Sequence, residues 1–143
     1  MGCDIHLHVE IKLNGKWEHY NQPHISRDYE LFTLMAGVRD DGSSPRPIAE
    51  LRGLPDDVSA VTKYEADRWE SDGHSHSWLS DIECGVIREW YEEGKRGRKD
   101  DYTPLFGYLF GNYIDSYLKY PEDGERYFKT GYERARVVFW FDN

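Results

Sequence analysis

The sequence contains no apolar run long enough to cross a membrane and no cysteine pair at metal-binding spacing. Its two cysteines, Cys3 and Cys84, are far apart, and we expect a buried reduced thiol at Cys3. The first residues do not resemble a signal peptide, and His6 stands where N-myristoylation needs Ser or Thr. We therefore expect a cytoplasmic protein, bacterial or in an infected host cell, that does not bind membranes.

Positive charge is scarce as well, with 18 Lys and Arg against 27 Asp and Glu and a net charge of −9 at pH 7. Because nucleic acids are bound mainly through basic surfaces, this balance argues against general nucleic-acid binding and leaves room for a local arginine pocket. The sequence also lacks a Gly-x-Ser-x-Gly motif and a Walker-type phosphate loop. Neither a nucleophile triad nor a Walker-type nucleotide site is indicated.

Aromatic residues are abundant, at 15% of the chain, and include five Trp and eleven Tyr. A chain of 143 residues fits a single domain, 1–143, whose core is built on these large rings. The many large rings also leave a homo-oligomer with an aromatic interface open.

Strict alternation of apolar and polar residues predicts a first strand from Cys3 to Leu13. Its apolar face carries Cys3, Ile5, Leu7, Val9, Ile11 and Leu13. Its polar face carries Asp4, His6, His8, Glu10 and Lys12. Asn14-Gly15 is the strongest short hairpin signal and predicts a returning strand from Lys16 to Tyr20.

Helices are expected mostly between strands at the two ends of the chain. Their candidate N-caps are Ser26, Asp56 or Asp57, Ser80 with Glu83 as a capping box, and Thr103 before Pro104. The helices should end at Gly37 and at about Trp69, Trp90 and Tyr117.

A final alternating strand, Arg134 to Phe141, should pair with the first strand at the sheet centre. That pairing would bring Arg134 and Arg136 near the polar face. The expected fold is α+β, with an antiparallel sheet in which the N-terminal hairpin and the C-terminal strand are paired. Three to four helices should pack on one face of this sheet.

Two carboxylates and two imidazoles on one strand face are unusual, because solvent-facing strands mostly carry Thr, Lys, Glu and Ser. We interpret Asp4, His6, His8 and Glu10 as candidate catalytic residues, since such groups serve as acids, bases and metal ligands. Metal-dependent hydrolases with barrel folds open with a similar Asp-x-His-x-His strand. The chain is too short for an eight-stranded barrel, which needs about 200 to 250 residues, so we discount that family.

A second histidine pair, His74-x-His76, also has strand spacing. If both pairs face one cavity, His6, His8, His74 and His76 would bind a divalent metal, zinc or manganese. Such a metal would activate water for phosphoester hydrolysis. The alternative is a metal-free site or a structural network in which these histidines bond to neighbouring Asp and Ser residues.

Arginine and tryptophan residues supply candidate ligand contacts, because arginine binds phosphate and tryptophan stacks on nucleobases. The candidate ligand-binding residues are Arg136, Arg134, Arg52, Trp78 and Trp140. Strand alternation aims Arg136 at the histidine face. The alternative is that most arginines of this acidic chain pair with local carboxylates and that most aromatic rings pack in the core.

Several segments are shared with one group of small proteins. They are Met1–His6, Asn14–Trp17, Arg27–Phe32, Arg52–Ser59, His74–Leu79 and Phe139–Asp142. Over its whole length the chain resembles small uncharacterised proteins of bacteria and phages that begin Met-Gly-Cys-Asp-Ile-His. No activity is established for the group, so the resemblance implies no catalytic residue. Small phage proteins include inhibitors of host defence that bind or cleave cyclic nucleotide signals, and an anti-defence role is consistent with that origin.

We therefore expect a protein that acts on a small phosphorylated, nucleotide-like ligand by metal-assisted phosphoester hydrolysis. One alternative is a non-catalytic protein that sequesters a nucleotide signal. Another is a structural or interaction protein whose histidines only bond within the sheet.

Overall fold

The computed structural model describes residues 2–40, 47–94, 118–119, 127–128 and 132–143. The strands are β1 (Asp4–Leu13), β2 (Lys16–Asn21), β3 (His74–Ser80), β4 (Leu118–Lys119), β5 (Tyr127–Phe128) and β6 (Tyr132–Asp142). The helices are α1 (Tyr29–Ala36), α2 (Ala60–Trp69) and α3 (Asp81–Gly94), with a 3₁₀ turn at Glu70–Asp72. The fourth predicted helix, Thr103 to Tyr117, lies outside the described residues.

A four-stranded antiparallel sheet forms the centre of the molecule, in the order β2-β1-β6-β3. The first and last strands are its two central strands, which confirms the predicted α+β fold and the predicted pairing. β4 and β5 form a separate two-stranded ribbon. The pairing of β1 with β6 places His6 opposite Trp140 and Glu10 opposite Arg136.

The hairpin between β1 and β2 turns at Asn14 and Gly15, whose φ angles are 51° and 79°. Both are positive, as a type I′ hairpin turn requires, and the hairpin predicted at Asn14-Gly15 is confirmed. β2 pairs with β1 from Val9 to Leu13. The other half of β1 faces the segment 22–25, across a cavity described below.

The apolar face of the sheet carries the hydrophobic core together with α1 and α3. The sheet contributes Cys3, Ile5, Leu7, Val9, Ile11, Leu79, Ala135, Val137, Phe139 and Phe141. The helices contribute Leu31, Phe32, Leu34, Met35, Cys84 and Ile87. Each large apolar side chain buried here contributes about 1.5 to 3 kcal/mol, which holds the two helices on this face.

α2 lies on the opposite, polar face of the sheet. The Trp69 ring centroid is 4.2 Å from that of His6, and the Ser59 N–H that precedes α2 donates to Glu10. Only Thr62 and Ala66 of this helix are buried. The predicted packing on one face therefore describes α1 and α3, while α2 covers part of the polar face. None of the helices in the described part of the chain is long and apolar enough to cross a membrane.

The helix caps lie close to the predicted positions but not always on the predicted residue. Asp28, rather than Ser26, caps α1, and its side chain accepts from the Leu31 N–H. Ser59, rather than Asp56 or Asp57, caps α2. These short polar residues are all good caps, so the choice between neighbours is made by where each helix meets the sheet.

Two further predicted helix boundaries, the end of α1 and the start of α3, are confirmed. Gly37 ends α1 in the left-handed conformation, with φ of 70°. Ser80 and Glu83 form the predicted capping box of α3, with distances of 3.0 and 3.1 Å between each backbone N–H nitrogen and the opposite side-chain oxygen.

Candidate functional site

The polar face of β1 carries Asp4, His6, His8 and Glu10, and their exposure is unequal. His8 and Glu10 are fully buried, whereas Asp4 and His6 are partly exposed. We call His8 and Glu10 the closed half of this face, and Asp4 and His6 the open half.

Glu10 anchors the closed half through a buried ion pair with Arg136. Arg136 Nε donates to Glu10 Oε1 at 2.9 Å, and Nη1 donates to Asp57 Oδ1 at 2.9 Å. The guanidinium carbon lies 4.0 Å from the centroid of the Trp17 ring, and Ser59 N–H donates to Glu10 Oε2 at 2.9 Å. Burial tends to raise the pKa of Glu10, but the hydrogen bonds from Ser59 and Arg136 outweigh it and leave the pKa below its ordinary value.

Arg136 therefore lies on the histidine face, as strand alternation predicted, but its donors are engaged. Its side chain is 5% exposed and contacts Glu10 and Asp57. A phosphate would have to displace one of these carboxylates, and leaving Glu10 buried without its partner is costly. The contacts of Arg136 with Glu10 and Asp57 are structural, and this geometry does not support the predicted contact of Arg136 with phosphate.

His8 is sealed within the closed half. Its Nδ1 lies 3.0 Å from His19 Nε2, so one ring donates and the other accepts. Burial, and then the neighbouring His19, lower the pKa of His8 to about 4. Burial also lowers the pKa of His19. The pair is neutral near pH 7, and His8 is out of reach of a ligand arriving from solvent.

Trp140 is fully buried and lies among three imidazoles. Its ring centroid is 5.1 Å from that of His8, 6.0 Å from that of His6 and 5.9 Å from that of His76. Among the described residues, neither Trp140 Nε1 nor His8 Nε2 has a hydrogen-bond partner. A ring packed in this way positions its neighbours, and no face of it is presented for the predicted stacking on a nucleobase.

The second histidine pair is divided between the two faces of the sheet. His74 pairs with Phe141 and Ser77 with Phe139, so β3 has one residue more than β6 between these pairs. Ser75 in this bulge has φ of 58°. As a result His74 lies beside Phe141 on the apolar side, while His76 lies beside Trp140.

The four imidazoles predicted as ligands therefore do not fit one metal centre. His6 bonds to Asp142, His8 bonds to His19, and His74 bonds to Ser75 and Asn143 on the other side of the sheet. Within the described part of the chain, no three His, Cys, Asp or Glu side chains converge as a metal site would require.

His6 forms the chemically most distinctive contact of the open half. Its Nε2 bonds to Oδ2 of Asp142, and both side chains are about one-fifth exposed. A carboxylate on Nε2 selects the tautomer that carries its proton there and leaves Nδ1 as the basic nitrogen. Trp69 packs against the same ring. Asp142 thus orients the His6 ring in the way that a carboxylate orients a histidine acting as general base in hydrolytic sites.

A cavity of about 330 Å³ opens beside His6. It lies between β1 and the segment that follows β2, and is lined by Asp4, Ile5, His6, Leu7, Gln22, Pro23, His24 and Ile25. Its volume is at the small end of the range for ligand sites. Two histidine residues, His6 and His24, therefore line one small cavity.

Asp4, at the edge of this cavity, is paired with Arg27. Arg27 Nε donates to Asp4 Oδ1 at 2.7 Å and Nη2 donates to Oδ2 at 3.2 Å. These bonds from Arg27 lower the pKa of Asp4, and the charges of His6 and His24 add to the effect. Asp4 is ionised at neutral pH, and Arg27, His6 and His24 all favour its charged form.

The remaining predicted ligand residues lie outside this cavity. Arg52 forms two bonds to Glu83, at 2.7 and 2.6 Å, and its guanidinium carbon lies 4.5 Å from the Trp78 ring centroid. Arg134 bonds to the buried carboxylate of Asp81, which also accepts from the Ala135 N–H. These contacts follow the alternative expectation, in which arginines of an acidic chain pair with carboxylates.

Sequence reasoning did not identify several residues that complete the two halves. They are His19 in the closed half, and His24, Arg27, Trp69 and Asp142 around the open half. Asp142 had a usable signal, because it continues the alternation of β6 beyond Phe141 and faces Asp4 across the pairing. The others come from segments whose position relative to β1 depends on tertiary structure.

Comparisons with known proteins add no functional assignment: no family model, no curated protein and no solved structure matches the chain.

Proposed function

We propose that the protein hydrolyses a phosphoester bond of a small, nucleotide-like ligand by acid–base catalysis with two imidazoles, His6 and His24. The observation that carries this proposal is the cavity that both residues line, together with the hydrogen bond from His6 Nε2 to Asp142 that orients the His6 ring. The proposal retains the phosphoester substrate expected from the sequence and replaces the metal with a second imidazole.

In the proposed reaction, His6 Nδ1 accepts a proton from a water molecule while the water oxygen attacks phosphorus. The phosphorus–oxygen bond to the leaving group breaks, and protonated His24 donates its proton to the departing oxygen. Water then returns His6 to its neutral form and His24 to its protonated form, so the enzyme is unchanged. Each positioned proton transfer of this kind accelerates a reaction by about 10²- to 10⁴-fold.

Size and charge support a small substrate. A cavity of about 330 Å³ holds a mononucleotide or part of a dinucleotide rather than a polymer. The net charge of −9 disfavours long polyanions, because they would meet repulsion over the whole surface.

The test is turnover of bis-p-nitrophenyl phosphate and of a panel of cyclic and linear nucleotides, after dialysis against EDTA. We expect His6→Gln to lower kcat by at least about 100-fold, because the base is lost. His74→Gln is the matched control and should retain wild-type turnover, since His74 lies on the other side of the sheet.

Three outcomes would contradict the proposal: activity that depends strictly on added metal, equal losses in the two variants, or no turnover of any panel member. Tight binding with recovery of intact nucleotide would indicate a sequestering protein instead.

A further inference from the structure

The ion pair of Arg27 is far more exposed than the ion pair of Arg136. The side chains of Arg27 and Asp4 are 55% and 50% exposed, whereas those of Arg136 and Glu10 are 5% and 0% exposed. An exposed ion pair gains little from its mutual attraction, so another anion can replace the carboxylate of Asp4 at little cost. Arg27 is thus a guanidinium bonded to Asp4, a residue that lines the cavity, and another anion can take the place of this partner.

Gly2 provides the space that Arg27 occupies. A Cβ atom built on Gly2 would clash with Nη1 and Cζ of Arg27. The guanidinium therefore lies directly against the backbone of Gly2. It fills the space that the side chain of any larger residue at position 2 would occupy. Because the clash involves only the end of a flexible side chain, a substitution here would move Arg27 at little cost to the fold.

We propose that Arg27 is the phosphate-binding residue of the cavity, held by Asp4 when the cavity is empty and transferred to the phosphate oxygens when substrate enters. This inference rests on the proposed function and names the group that binds its substrate. A guanidinium suits the task because its two parallel N–H donors match two phosphate oxygens as they match the two oxygens of Asp4.

The exchange makes Asp4 a competitor of the phosphate. Removing its charge should then strengthen phosphate binding, while removing Arg27 should weaken it. A purely structural ion pair predicts the opposite pattern, in which loss of either partner damages the site to a similar extent. The sign of the Asp4 effect therefore separates the two interpretations.

The experiment measures binding of inorganic phosphate by calorimetry and by the NMR shifts of the His24 ring. Arg27→Gln should weaken binding about tenfold or more, and Asp4→Asn should strengthen it about threefold or more. Gly2→Ala should weaken binding although both charges remain. Arg52→Gln, which breaks a comparable bidentate pair away from the cavity, is the control and should leave binding unchanged.

The double variant Asp4→Asn/Arg27→Gln isolates the part of the Asp4 effect that acts through Arg27. If Asp4→Asn strengthens binding equally with and without Arg27, or if Arg27→Gln binds phosphate like the wild type, the inference is wrong. These outcomes are distinct from failure of the proposed function. If the protein binds phosphate through Arg27 but turns over no substrate, the inference about Arg27 holds and the proposed hydrolase activity is wrong.

Discussion

The two halves of the polar face of β1 carry the same kinds of side chain, one histidine and one carboxylate each, yet they differ in what surrounds them. In the closed half, His8 and Glu10 are fully buried and bonded to His19, Ser59 and Arg136. In the open half, Asp4 and His6 face a cavity and an exposed arginine. Residue type alone therefore does not distinguish a structural polar network from a candidate reaction site.

The difference arises from the elements that cover each half. The Ser59 N–H at the start of α2 reaches Glu10, and Asp57 just before it reaches Arg136. A helix N-terminus also favours a carboxylate electrostatically. Beyond Asn21 the chain leaves β2, and the segment 22–25 encloses the cavity instead of pairing. The polar face of β1 is thus divided where the pairing of β1 with β2 ends.

The largest expected effect is loss of stability when the closed half is broken. Arg136→Gln leaves Glu10 buried without its ion partner, which should lower the free energy of unfolding by about 3 to 5 kcal/mol. Urea denaturation would measure it. The same substitution in the open half, Arg27→Gln, should change stability far less because that pair is exposed. Similar losses in both variants would erase the distinction between the halves.

Acid should act on the closed half next. The pKa of His8 is about 4 in the folded protein and about 6.5 in an unfolded chain, so only the unfolded state takes up the proton between these values. Stability should therefore fall as pH drops from 6.5 to 4, by about 3 kcal/mol from His8 alone. Glu10 adds to the loss at lower pH, because its pKa is lowered by folding.

His8→Phe removes this titration and should flatten the stability profile between pH 6.5 and 4, whatever its own stability at pH 7. The measurement is the unfolding free energy from urea titrations at several pH values. His74→Gln is the control and should keep the wild-type slope. An unchanged slope in His8→Phe would place the acid sensitivity elsewhere.

The smallest effect concerns the open half and appears in kinetics. Asp142→Asn removes the carboxylate that orients His6 while keeping its size, so kcat should fall by about tenfold or more with little change in KM. Asp67→Asn, which alters a surface pair on α2, is the matched control. A wild-type kcat in Asp142→Asn would rule out the orienting role.

Much of the fold follows from local patterns. The alternation of β1 and β6 predicts both the core face and their central pairing, and the Asn14-Gly15 turn and the Ser80–Glu83 capping box occur as expected. The wrong caps, Ser26 and Asp56 or Asp57, lie within three residues of Asp28 and Ser59. Several neighbouring residues there satisfy the same local rule, and tertiary contacts choose among them.

The candidate site was less predictable, because its partners come from distant parts of the chain. Alternation correctly aimed Arg136 at the polar face, but only the position of Glu10 and Asp57 shows that its donors are occupied. His24 and Arg27 lie in an irregular segment with no periodicity to indicate which way they point. The separation of His74 from His76 depends on an extra residue in β3, which no spacing rule reveals.

The bulge at Ser75 in β3 keeps His74 on the opposite side of the sheet from His6 and Trp140. If β3 were regular from Ser77 backwards, His74 would stand opposite Asp142, on the side of His6 and Trp140. The positive φ of Ser75 prevents this, and it is a conformation that β-branched residues strongly avoid. Valine or isoleucine at position 75 would favour the regular strand and place His74 on the side of Asp142. The same His-x-His spacing can therefore place its two imidazoles on one side of a sheet or on opposite sides, with one backbone torsion as the difference.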